Sequence, residues 1–190
     1  MSVRMKLQIC FLVFILALLS LGGWSALRFR QLGGVTQRII SENYDSVESA
    51  QRMKENLERM DSAAVFLLLG QGDRARSQAV YHRKDFDTAF QVAASNITEP
   101  GESEIIARLK RDRDNYYQEY DRFFDNGSAS QKTYFETLEP LFTRLRTDCD
   151  SLLQLNQGAM NIKAQKASAS ANRWFELTLL IALTLFAASL

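Results

Sequence analysis

The sequence predicts an all-α protein: an up-down four-helix bundle whose outer helices continue into two transmembrane helices. Three observations lead there. The apolar residues concentrate at the two ends of the chain. Between those ends, only two prolines and a few glycines punctuate long stretches rich in helix-forming residues. No stretch alternates β-branched and polar residues at period two, as a half-buried strand would. The overall composition hides this segregation, since a net charge of +1, 46% hydrophobic and 24% charged residues would suit an ordinary soluble domain.

Residues 1–6, with Arg4 and Lys6, form a short basic N-terminus. Residues 7–27, "LQICFLVFILALLSLGGWSAL", are 21 positions without a charge, closed by Arg28 and Arg30. A hydrocarbon core of about 30 Å needs about 20 such residues. A cleaved signal peptide, cut near Ser25–Ala26, is the rival reading. The uncharged run is long for that role, and a second apolar segment stands at the far end, so an uncleaved anchor is expected. That second segment, residues 174–190, is the expected second span. After Glu176 it has 14 uncharged residues, roughly 21 Å of helix. This falls short of the core thickness, and a continuation beyond Leu190 is therefore expected. Arg4, Lys6 and the amino terminus favour a cytoplasmic start, although Arg28, Arg30 and Arg173 crowd the other side. Two spans then leave residues 28–173 extracytoplasmic.

Within 28–173, "GQGD" at Gly70–Asp73, "NITEPGES" at Asn96–Ser103 and "DNGS" at Asp125–Ser128 read as turns. They delimit four helices, with Asp73 and Ser103 as N-caps of the second and third. The first helix carries a seam with alternating steps of four and three: Leu32, Thr36, Ile39, Asn43, Ser46, Ala50, Met53, Leu57, Met60, Ala64 and Leu67. The second offers Ala75, Ala79, His82, Phe86, Ala89, Ala93 and Ile97, and the third Ile105, Leu109, Tyr116, Tyr120 and Phe123. The last runs through Leu138, Leu141, Leu145, Cys149, Leu152, Leu155, Ala159 and Ile162, with Pro140 either kinking it or opening it at its first position. Short connections make the neighbours antiparallel. The outer stretches are about twice as long as the inner ones, so the inner pair covers only part of them. A second copy is the expected cover, giving a parallel homodimer.

Candidate functional residues are few. Asn43 falls on the seam, where a buried Asn fixes register and oligomeric state; ligand contact is the other reading. Arg113 lies between Leu109 and Tyr116 on the third helix. With Tyr116 and Tyr120 it makes a candidate ligand-binding set for a small anion, because a guanidinium grips carboxylate or phosphate bidentately. The bland reading is an ion pair with Asp61 or Glu58 beside aromatic core residues. His82, in "YHRKDF", lacks the acidic residue and following proline of a phospho-accepting histidine and is expected on or beside the core face. Cys10 and Cys149 fall in different regions and are not expected to bridge. With one histidine and no ligand-spaced cluster, no metal site is expected. There is no phosphate loop, nucleophile elbow or paired histidine motif, so neither a catalytic residue nor a cofactor is expected. Balanced charge without a basic stripe argues against nucleic acid.

"ENYDSVESAQRMKENLERMDSAAVFLLLG" (Glu42–Gly70) and "LLQLNQGAMNIKAQKASASANRW" (Leu152–Trp174) resemble the first and last helices of the periplasmic sensor region in membrane-bound two-component sensor histidine kinases. Asn43, Tyr44, Met53, Asp61, Asn156 and Met160 match that pattern. The resemblance implies a dimeric periplasmic four-helix bundle on a multi-pass protein of the bacterial inner membrane. Its last helix would enter a HAMP linker and a kinase core, neither of which is present in these 190 residues. The stimulus would be a small anion or a periplasmic protein. Similar bundles serve chemoreceptors and nucleotide cyclases, and a non-signalling membrane-anchored bundle that binds a partner protein is a further alternative.

Overall fold

The structure, a computed structural model, describes residues 3–125 and 129–188. It is all-helical among those residues: α1 (Val3–Leu68), α2 (Gly72–Ser95), α3 (Glu102–Phe124), α4 (Gln131–Thr133), a π-helical turn over Tyr134–Leu138, and α5 (Glu139–Ala188). Most of the expected Asp125–Ser128 turn lies outside the described residues, as do the side chains of Cys10, Leu32, Thr36 and Ile39. The chain divides into two compact units, Ile40–Asn161 and the pair Met1–Ile39 with Ile162–Leu190.

The four-helix bundle is the unit Ile40–Asn161. Its core is the first-helix seam, with Asn43, Ser46, Ala50, Met53, Leu57, Met60 and Ala64 all buried. Against it pack Ala75, Ala79, Phe86, Ala89 and Ala93 of α2, and Ile105, Leu109, Tyr116, Tyr120 and Phe123 of α3. Leu138, Leu145, Cys149 and Leu152 close the core. The i, i+3, i+4 spacing puts these side chains on one stripe of each helix, which is why the stripes and not the whole helices are dry. Leu67, Leu141 and Leu155 are half-buried at its margin.

The helix ends show local causes. Gly70 takes a positive φ of 78°; its N–H donates to Leu67 O (3.0 Å) and that of Gln71 to Phe66 O (2.9 Å), the paired bonds of a Schellman cap. Pro100–Gly101 turns the chain into α3. Gly101 has φ 86° and ψ −6°, as the third residue of a type II turn requires, and Glu102 N–H closes that turn on Glu99 O at 3.2 Å. Ser130 caps α4, its Oγ accepting from Thr133 N–H at 3.0 Å.

Several expectations are corrected. Gln71 and Gly101, not Asp73 and Ser103, hold the N-cap positions. Asp73 lies one residue inside α2, where its charge still meets the positive end of the helix dipole, and the Ser103 hydroxyl goes to the Glu104 carboxylate (2.9 Å). Ile97 is exposed because α2 ends at Ser95, and Ile162 is exposed on α5. Pro140 is the second residue of α5, which follows directly on a π turn closed by Glu139 N–H on Tyr134 O. That wider turn makes room for a ring with no N–H to donate.

Among the described residues, one window, Phe11–Arg28 of α1, is long and apolar enough to cross a membrane, and none of it is buried in the protein.

Candidate functional site

At the end of the bundle where the chain enters at Ile40 and leaves at Asn161, three segments and a loop meet in a buried polar cluster. Asn43 of α1 is fully buried. Its Nδ2 donates to Glu99 Oε1 at 2.7 Å and to Asn156 Oδ1 of α5 at 3.2 Å. Asn156, equally buried, donates through its own Nδ2 to Glu102 Oε1 (2.9 Å) and back to Leu152 O (3.1 Å). The other oxygen of Glu102 accepts the backbone N–H groups of Thr98 (2.8 Å) and Glu99 (3.1 Å). One turn further along α1, Ser46 Oγ donates to Asn96 O, and Asn96 Nδ2 donates to Ser46 Oγ, both at 3.2 Å.

Donors surround the buried Glu102 side chain: two main-chain amides and one carboxamide. The two asparagines are matched in direction, the carbonyl of Asn156 facing the amide of Asn43. Such a cluster fixes the relative height of α1 and α5, since sliding one on the other strains the direct Asn43–Asn156 bond between them. It joins the outer helices to each other and to the connection between the inner pair.

The middle of the bundle is braced by tyrosines. Tyr120 donates from α3 to Met60 O of α1 (2.8 Å), Tyr134 to Asp61 (2.9 Å), and Tyr117 to Asp87 of α2 (3.1 Å). Tyr116 is wholly buried, and its hydroxyl has no partner among the described residues. Burial pushes the Tyr116, Tyr117, Tyr120 and Tyr134 phenols up, so all are neutral. Burial likewise raises Asp61, against the Tyr134 hydrogen bond that lowers it. Asp148 is raised by the same cause, with the neighbouring Asp112 carboxyl adding to the effect and Arg108 opposing it.

Arg113 is placed beside α2. Its guanidinium binds Asp114 (2.8 Å) and approaches Asp87 (3.5 Å), while lying 4.5 Å over the Phe90 ring. The sequence-level ion-pair partners, Asp61 and Glu58, are engaged elsewhere: Asp61 by Tyr134 and Glu58 by Arg146 at 3.2 Å. Tyr116 and Tyr120 stack on each other with centroids 5.3 Å apart inside the core, so of the three candidates Arg113 alone reaches the surface. A shallow groove of about 420 Å³ on α2, lined by Arg83, Lys84, Asp87 and Thr88 among others, adjoins it at Asp87. His82 is half-buried at the bundle margin, Nδ1 2.8 Å from Asn56 Oδ1, and burial, with Arg59 second, lowers its pKa. No group of three or more His, Cys, Asp or Glu side chains suited to a metal occurs among the described residues.

Sequence reasoning singled out Asn43 but missed Glu99, Glu102 and Asn96. The available signal was Glu102 directly after Pro-Gly at a helix start, three and four residues from the amides it accepts from.

Residues 1–172 match the family described as a four helix bundle sensory module for signal transduction. No curated protein and no solved structure matches the chain.

Proposed function

Because this chain belongs to the four-helix-bundle sensory modules for signal transduction, we propose that it is the input region of a transmembrane receptor of the two-component histidine kinase type. In this reading the helices around 7–27 and 174–190 both cross the bacterial inner membrane, the bundle faces the periplasm, and two copies pair in parallel. A periplasmic stimulus shifts α5 against α1, and the second membrane helix carries that shift to a HAMP linker and kinase core. Sliding of about 1–2 Å is the scale that packed helices allow.

The observation that supports this best is the Asn43–Asn156 contact at the end of the bundle where the chain enters and leaves. It gives α1 and α5 a defined register that a signal can exchange for another. A small anion meeting Arg113 would compete with Asp87 and Asp114 for its guanidinium; a periplasmic protein contacting the bundle is the other source of stimulus.

Reading the gene beyond codon 190 tests the output. A HAMP segment followed by a phospho-accepting histidine and an ATP-binding domain is expected. A methyl-accepting signalling domain, a cyclase domain or a stop codon would overturn the kinase assignment and leave the sensory module as it stands. Calorimetry against organic acids and phosphates tests the anion; absence of heat, with an unaltered response in the Arg113→Ala receptor, ends that part.

A further inference from the structure

In the unit formed by Met1–Ile39 and Ile162–Leu190, α1 and α5 enclose a groove of about 500 Å³. Among the described residues, the charged side chains that line it are Arg28, Lys163 and Lys166, all cations. Along α5 the lining follows one face, from Lys163 and Lys166 through Ser170 to Trp174 and Thr178. That is roughly 22 Å of helix, basic at one end and largely apolar at the other. Arg28 sits between the two tryptophans, its Cζ 4.0 Å from the centre of the Trp174 ring and 4.8 Å from that of Trp24. The rings themselves meet edge to face at 6.1 Å. Arg28 is also the last residue of the window Phe11–Arg28 that suits a membrane span.

Tryptophans at the end of an apolar span mark the headgroup level of a bilayer, and basic side chains just outside a span attract anionic lipid. We propose that this groove binds an anionic phospholipid, Lys163 and Lys166 meeting the phosphodiester headgroup and an acyl chain lying along Trp174, Phe175 and Thr178. A second copy of the chain is a poorer occupant. A two-fold axis sets like surface on like, and it would bring the Arg28, Lys163 and Lys166 side chains of two copies together. The inference rests on Phe11–Arg28 crossing the membrane, and the test separates the two.

The chain has two tryptophans, and both border Arg28, so tryptophan fluorescence reports on the groove directly. The full chain is reconstituted in phosphatidylcholine vesicles carrying an equal fraction of dibrominated phosphatidylglycerol or dibrominated phosphatidylcholine, at constant ionic strength. Quenching by the anionic lipid is expected to be at least about twofold stronger, each juxtamembrane lysine favouring anionic lipid about fivefold. The Lys163→Gln/Lys166→Gln variant, with helicity checked by circular dichroism, should lose the preference, and Lys163→Arg/Lys166→Arg should keep it. Equal quenching by both lipids overturns the proposal, as does a preference that survives the glutamine variant. Displacement of the brominated anionic lipid by inorganic phosphate would assign the groove to a free anion and overturn it too. Loss of quenching by either lipid, with Ala167→Cys chains crosslinking to each other, would give the groove to a second copy. Failure to float with phosphatidylcholine vesicles removes the spanning premise and the proposal together, whereas flotation without lipid preference removes the proposal alone.

Discussion

Asn156 links both sides of the polar cluster, because it accepts from Asn43 and donates to Glu102 at once. Asn156→Leu leaves both partners buried and short of a bond, and each such loss costs about 1–3 kcal/mol. We expect urea unfolding of the full chain in detergent, followed by circular dichroism, to show a loss of about 2–4 kcal/mol. The Asn43→Ala/Asn156→Ala cycle should then give a coupling of at least about 0.5 kcal/mol; additivity would mean the contact does not set register. Tyr116→Phe has the opposite sign. It removes a buried hydroxyl without a partner, so stability should hold or rise by about 1 kcal/mol, and a clear loss in the same measurement would count against the geometry. Asp61 and Asp148 contribute to the pH dependence. Both are raised above their ordinary value of 3.8 in the folded chain. The folded state therefore holds their protons more tightly, and the stability they contribute is full below that value and lost as pH rises through the raised one. Asp148→Asn should flatten the fall of the unfolding midpoint as pH rises above 3.8; an unchanged slope would exclude Asp148 as a contributor.

Helices supply the next level, and their ends carry most of the information. Gly101 has φ 86°, and a Cβ there would meet Leu155 Cδ1 at 3.6 Å, an ordinary contact. The cost of Gly101→Ala is therefore one of backbone conformation, about 1–2 kcal/mol, and Asn at the same position should recover part of it. Because this turn presents Glu99 and Glu102 to the asparagines, the substitution should also weaken Asn43–Asn156 coupling. In the helix interiors the seam dominates: Leu57 is wholly buried, and Leu57→Ala should cost about 2–5 kcal/mol by thermal unfolding. An effect below 1 kcal/mol would place Leu57 outside a packed core. Surface ion pairs between helices, such as Lys54–Asp150 at 2.8 Å, are worth far less, about 0–1 kcal/mol.

For the whole molecule the central expectation is motion of α5 relative to its neighbours. Cysteines placed one at a time along Ala164–Arg173 in an otherwise cysteine-free receptor should crosslink between copies in a pattern that changes with signal state. A pattern constant under every condition would end the sliding mechanism and leave the fold untouched. Cys149 needs replacing with care, since it is wholly buried and burial pushes its thiol up. Serine there adds an unpaired hydroxyl to the core, so alanine is the better choice.

The amino-acid sequence by itself determined the all-helical class and most of the inward-facing positions, from Asn43 to Ala64 on α1 and from Ile105 to Phe123 on α3. It also determined the breaks at Gly70 and Pro100–Gly101. These are local properties: a period of 3.6 residues selects the buried stripe, and a glycine at positive φ ends or redirects a helix whatever lies around it. Only the tertiary structure decided the partners. Asn43 lies more than fifty residues from Glu99 and more than a hundred from Asn156, and no periodicity foretells which polar groups meet across such separations. The same holds for Arg113, which turned to Asp114 and Asp87 instead of Asp61, and for Pro140, absorbed by a π turn. A hydrogen bond depends on a few tenths of an ångström between distant segments, and that precision arises only once the helices have packed.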